Sequence, residues 1–256
     1  MDRRLREPID LHNKENRDLL EAIQGNLLKS HGRPRAAHVM LKITDAGRAM
    51  EWIRGFAEHS TDGITSAWKE AEAARAYKKN NEQRLPTFRM LALTKAGYVQ
   101  LGIPEDQHPD DRAFKEGMEN AGTGLRTKDY EKEDNPNHLT DSDDIEKNFP
   151  GISYEKPVPD LSDPPKIEWD KPYVGSIHAM IVVADETRES LDGALTTTLN
   201  SIEASGGFEV LEPIEPGNVI TRDGEGRVET GRRPQRDAGT YAIEHFGYAD
   251  GIAQPR

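Results

Sequence analysis

Ser176 to Ala184, reading SIHAMIVVA, constrains the fold more than any other stretch of this chain. A continuous apolar run rich in β-branched residues describes a strand buried on both faces, and such a strand needs partners on either side. After it, residues Asp185 to Asn200 read as a helix, with Leu191, Ala194, Leu195, Thr198, Leu199 and Ile202 on one face. Gly206-Gly207 ends that helix, and Phe208 to Pro213 forms a last strand before Pro216-Gly217. The upstream half carries a matching unit. Ala37 to Ile43 is a mostly buried strand, Asp45 offers an N-cap, and Ala49, Trp52, Ile53 and Phe56 recur at helical spacing through His59. A second helix spans Ser66 to Asn80, a turn at Leu85-Pro86 precedes the strand Thr87 to Leu93, and Thr94 caps a helix from Lys95 to Leu101 that Gly102 and Pro104 end. A short helix, Asp18 to Ala22, precedes all of these.

The order is therefore strand, helix, strand, strand, helix, strand. That is the α+β, ferredoxin-like βαββαβ arrangement, an antiparallel sheet with its helices on one face. Between the halves, residues 105 to 171 change character, with charge clusters such as Tyr130 to Asp134 and prolines at 157, 159, 164 and 165. They read as a long loop-rich insertion with little regular structure after Asn120. The chain thus divides into an N-terminal extension, residues 1–36, a ferredoxin-like domain, 37–218, and an inter-domain segment, 219–256. The loop after Gly217 is expected to be mobile, for want of a packing partner.

Composition narrows the function. A net charge of -12 argues against a nucleic-acid groove or an anionic membrane surface, both of which call for clustered Lys and Arg. The absence of cysteine removes disulfides, thiolate nucleophiles and iron–sulfur clusters together. No apolar stretch resembles a signal peptide or a transmembrane span, so a cytoplasmic protein is the expectation. The eight histidines, His12, His31, His38, His59, His108, His138, His178 and His245, show no helical metal-ligand spacing. Each reads as structural or solvated. Asp141 to Asp144 lacks the glycine and closing glutamate of a calcium loop, and no phosphate loop or nucleophile elbow occurs.

The remaining candidate is the segment Gly247-Tyr248-Ala249-Asp250-Gly251. Two glycines allow positive φ or close approach to a ligand, so they frame Asp250 as a carboxylate on a shaped backbone. By itself such a segment reads first as a tight turn in which Asp250 bonds to neighbouring amides. Its flanks, Glu244-His245-Phe246 before and Ile252-Ala253-Gln254-Pro255 after, make the whole unit resemble the Gly-x-x-Asp-Gly signature of dye-decolorizing (DyP-type) haem peroxidases. Three further segments agree in order: Ile23 to Leu28 (IQGNLL), Phe88 to Gly102 (FRMLALTKAGYVQLG) and His178 to Ala184 (HAMIVVA).

The resemblance implies two ferredoxin-like domains with haem b between them, and an Asp250 that relays a proton between the oxygens of hydrogen peroxide. Asp250, Gly251 and Ile252 would border the haem, and a small aromatic reductant would be oxidised. A carboxylate with an ordinary pKa near 3.9 favours an acidic optimum. The family's proximal histidine and distal arginine lie downstream of the motif, in a second domain that this sequence is expected to lack. Neither His178, His245 nor Arg256 matches those positions. The chain is accordingly expected to be the N-terminal portion of such an enzyme, completed by a C-terminal domain or acting as a homo-oligomer. The alternative is a non-catalytic ferredoxin-like module that needs a partner chain to bind haem.

Overall fold

The computed structural model describes residues 9–11, 13–28, 30–59, 61–80, 84–111, 114–115, 169–171, 173–232 and 239–243. Most of the expected insertion and the segment carrying Asp250 lie outside these residues.

Four strands, β1 (Arg35–Ile43), β2 (Phe88–Leu93), β3 (Ala179–Asp185) and β4 (Phe208–Asn218), form one sheet in the order β2-β3-β1-β4. Every neighbouring pair is antiparallel. This is the ferredoxin-like order, with the SIHAMIVVA run at the centre, where a strand apolar on both faces belongs. Helix α2 (Ala46–Glu58) starts at Asp45, whose carboxylate accepts from the Arg48 N–H at 3.0 Å. Helix α3 (Ala67–Lys79) is capped by Ser66 and helix α4 (Lys95–Gln100) by Thr94. Helix α5 (Arg188–Ser205) follows β3, and a short helix α1 (Arg17–Ala22) precedes β1.

Alternation along the strands separates two faces. Ala37, Val39 and Leu41 of β1, Leu91 of β2, and Ile181 and Val183 of β3 pack against Trp52 and Phe56 of α2 and Leu191 and Ile202 of α5. Trp52 stacks on Phe56 at 4.7 Å, meets Phe208 edge-on at 5.4 Å, and donates its indole N–H to Ser201 Oγ at 3.2 Å. The last contact ties α2 to α5 above the main core. The other face gathers Ala36, Phe88, Val182 and Ala184, with Met90 and Met180 against them.

Helix α5 begins three residues later than the sequence suggests. Asp185 does not cap it. Its buried carboxylate instead accepts from Thr87 Oγ1 at 2.6 Å, from Arg84 and from the Glu186 N–H, so Thr187 becomes the cap, accepting from the Ser190 N–H. Burial opposes the charge on Asp185, but these hydrogen bonds outweigh it and hold the carboxyl below its ordinary value.

Strand β4 also runs further than expected, through Pro213 and Pro216 to Asn218. It is an edge strand, where a missing N–H can be tolerated. The register to β1 shifts between His38 and Met40, so the chain bulges around Pro213. Beyond Gly217, where a loop is expected, three short strands form a second sheet: β5 (Ile220–Arg222), β6 (Val228–Thr230) and β7 (Tyr241–Ile243), in the order β6-β5-β7. Within it Thr221 and Ile243 are buried.

Candidate functional site

Asp250, Gly251 and Ile252 lie outside the described residues, as do His12, His138, His245 and Arg256. What the structure supplies is the framework in which the other motif segments meet. Three of the four converge on β2, although they are far apart in sequence.

Gln24 is the hinge of that convergence. Its side-chain amide donates to the Leu91 carbonyl at 2.8 Å and accepts from the Leu91 N–H at 2.9 Å, so it pairs with the outer edge of β2 as a neighbouring strand would. Each such bond contributes about 1 kcal/mol net, and leaving the edge groups unpaired would cost more. Thr65 extends the pairing: its N–H donates to the Arg89 carbonyl at 2.9 Å, and its hydroxyl accepts from the Arg89 N–H at 3.1 Å. Gly25 follows at a point where a Cβ would lie 3.1 Å from both the Phe88 ring and Glu70 Cβ. A larger residue there would require the Phe88 ring or Glu70 to give by a few tenths of an ångström. Asn26 then reaches Met90 Sδ at 3.4 Å.

The second and third motif segments meet through β2–β3 pairing, with Leu91 opposite Ile181 and Phe88 opposite Ala184. At the far end Thr94 donates its hydroxyl to the Ile177 carbonyl at 2.7 Å and accepts from the Gly97 N–H at 3.1 Å. Gly97 sits so near the His178 carbonyl oxygen that a Cβ there would overlap it. The Thr and Gly of this motif therefore dock α4 against the start of β3.

Beneath Gly25 lies a buried ion pair that charge-blind sequence reading misses. Arg33 Nη1 donates to both Glu70 carboxylate oxygens, at 2.6 and 2.5 Å, while Nε and Nη2 donate to the Pro86 carbonyl at 3.0 and 2.7 Å. Both side chains are almost fully withdrawn from solvent. A signal does exist in the sequence, since Glu70 falls on the same face of α3 as Ala67, Ala71 and Ala74. Beside this pair, His31 stacks on Phe88 at 5.0 Å and accepts the Arg33 N–H on Nδ1 at 3.0 Å. Burial, then the charges of Arg33 and His38, push its pKa down to about 4.

The five described histidines each engage the main chain. His178 Nδ1 accepts from the Ile43 N–H at 3.0 Å, and burial with nearby Lys42 lowers its pKa. His38 Nδ1 contacts the Glu215 carbonyl, His59 Nδ1 accepts from the Asp62 N–H, and His108 Nε2 contacts the Ile103 carbonyl. Among the described residues no three His, Cys, Asp or Glu side chains are grouped so as to hold a metal ion. Their best-defined cavity measures 260 Å³, below the roughly 300–1,000 Å³ of typical cofactor pockets. No helix among them is long and apolar enough to cross a membrane.

A four-stranded antiparallel sheet ordered β2-β3-β1-β4 and covered by two helices defines an α+β, ferredoxin-like protein. No family model matches the sequence. A curated relative, the multifunctional dye peroxidase DyP2 of an Amycolatopsis species, is 26% identical over 237 residues, covering 93% of this chain and 38% of that protein. The solved structure of a DyP-type peroxidase from Anabaena superposes with a TM-score of 0.65 at 26% identity, over 96% of this chain and 42% of that one. A decolorizing peroxidase from Auricularia auricula-judae shares the fold at a TM-score of 0.53 and 17% identity, over 91% of this chain and 37% of that one. In sequence and fold the chain is thus similar to DyP-type peroxidases, and it spans about two fifths of the length of those it matches.

Proposed function

We propose that this chain supplies the distal, proton-handling part of a DyP-type haem peroxidase, with Asp250 as the relay and hydrogen peroxide as oxidant. The observation that carries the reading is the convergence of its Gln24, Phe88–Gly102 and His178–Ala184 segments on β2, in a chain whose relatives are dye peroxidases. The segment bearing Asp250 follows β7, which β5 holds in register through Ile220 and Ile243.

Haem b, when bound, would supply the redox chemistry with peroxide. This chain's part is acid–base. The Asp250 carboxylate takes a proton from one peroxide oxygen and returns it to the other, so that water can leave. Gly247 and Gly251 allow its backbone to approach a flat ligand closely, and Gly251 and Ile252 would border the haem. Because the matched region is about two fifths of its relatives, an iron-ligating side chain is assigned to residues equivalent to the rest of their length, in the same polypeptide or a partner. The electrons come from a small aromatic reductant.

The test is isolation of the protein from its own cells under native conditions, with haem content and peroxide-driven dye oxidation measured together. Wild type is expected to carry haem and turn over. Asp250→Asn should keep the haem and lose about 100-fold or more in turnover, the scale of a lost general acid–base group. Equal turnover in the variant, or an absence of haem in the native protein, would overturn the reading.

A further inference from the structure

Beside the sheet, α3 borders the 260 Å³ cavity, which is lined by Leu11, Gly25 and Leu28 on one side and by Ala67, Glu70, Ala71, Ala74, Arg75 and Lys78 of the helix on the other. Positions 67, 71, 74 and 78 fall on one face of α3 by their spacing. Three alanines there leave a space that larger side chains would fill in an ordinary close-packed contact.

The charges around this space do not cancel. Glu70 is already neutralised by its two-oxygen contact with Arg33. Arg75 and Lys78 remain, and among the described residues neither has an acidic partner within ion-pair distance. Arg75 lies over the Trp68 ring at 5.2 Å, its Nε reaches only the Ala71 carbonyl at 3.4 Å, and its Nη2 has no hydrogen-bond partner among the described residues. Two uncompensated cations at an apolar cavity stand out in a protein of net charge -12.

We infer that this cavity binds a small organic anion: a carboxylate or similar acidic group on an apolar ring or short chain. The apolar part would lie against Leu11, Leu28 and the alanines, and the acidic group would pair with Arg75 and Lys78. A 150 Å³ apolar cavity is about enough for benzene, so 260 Å³ corresponds to roughly ten non-hydrogen atoms. The inference does not depend on the peroxidase reading.

Isothermal titration of the full chain with 3-phenylpropanoate tests this, with the neutral amide 3-phenylpropanamide as control. The acid should bind saturably at one site, and the amide about tenfold or more weaker, as expected for loss of a charge-assisted bond. Lys78→Gln lies on the exposed end of α3 and leaves the core untouched, so it should fold normally and weaken the acid about tenfold without affecting the amide. Ala71→Leu should abolish binding of both by filling the space. No saturable binding of the acid, or equal affinity in wild type and Lys78→Gln, would overturn the inference. Should Ala71→Leu fail to fold, the Lys78→Gln comparison decides alone.

Discussion

The two sheets of this protein are built on different terms. In the four-stranded sheet, Val39, Leu41, Ile181 and Val183 are completely withdrawn from solvent, and two amphipathic helices cover one face. In the three-stranded sheet each strand is three residues long, Val228 is 55% exposed and Tyr241 43% exposed. Only Thr221 and Ile243 of its strand residues are buried. The first sheet makes its own core, whereas the second is held largely by backbone pairing and a few anchors. The lesson is a division of labour: a rigid scaffold carries the motif residues that pack, and a lightly buried sheet leads toward the segment proposed to do chemistry.

The largest effect is expected at the buried ion pair that ties α3 to the segment entering β1. Glu70→Ala leaves Arg33 charged, buried and unpaired, and should cost about 3–5 kcal/mol, read as a fall in the urea midpoint. Replacing both partners with apolar residues should cost clearly less than Glu70→Ala alone. Next comes the central strand. Ile181→Ala should cost about 2–5 kcal/mol through lost burial and a residual cavity.

A smaller effect is expected at His31, where the folded pKa of about 4 lies below the ordinary 6.5. The ring is neutral in the folded protein, while the unfolded chain takes up a proton first. Its contribution is therefore fully present above pH 6.5 and declines as pH falls from 6.5 toward 4. Between pH 7 and pH 5 the loss should be on the order of 1 kcal/mol, after allowance for the ring's partial exposure. Unfolding midpoints of wild type and His31→Phe at both pH values isolate it, since the variant should lack this component. Smallest of all, Val228→Ala on β6 should stay within about 0.5 kcal/mol. A cost there comparable to that of Ile181→Ala would erase the contrast between the sheets.

How much of this was legible in the sequence follows the same contrast. The strands around Val39, Leu91 and Ile181, and the caps Asp45 and Thr94, announce themselves through local pattern, because burial and capping act on neighbouring residues. Asp185 reads in sequence as the start of a helix but is claimed by Arg84 and Thr87, about a hundred positions away. Pro213 and Pro216 look like the end of a strand, and only the pairing of β4 with β1 shows that an edge position tolerates them. Strand β6, reading Val-Glu-Thr with every residue exposed, has no periodicity to detect. The role of Gln24 was legible only as a motif, since nothing local says that its amide will pair with Leu91. Of the proposed site, the aspartate is visible in sequence because two glycines and its flanks frame it, whereas the Arg33–Glu70 pair and the α3 cavity arise from tertiary contact.

The most direct test of the central claim is the rate at which the haem-containing protein consumes hydrogen peroxide, followed by rapid mixing across pH in wild type and Asp250→Asn. The account predicts that the wild-type rate depends on a single group titrating in the carboxylate range, and that Asp250→Asn lowers the rate about 100-fold and removes that dependence. A variant that reacts as fast as wild type, with the same pH profile, would contradict it.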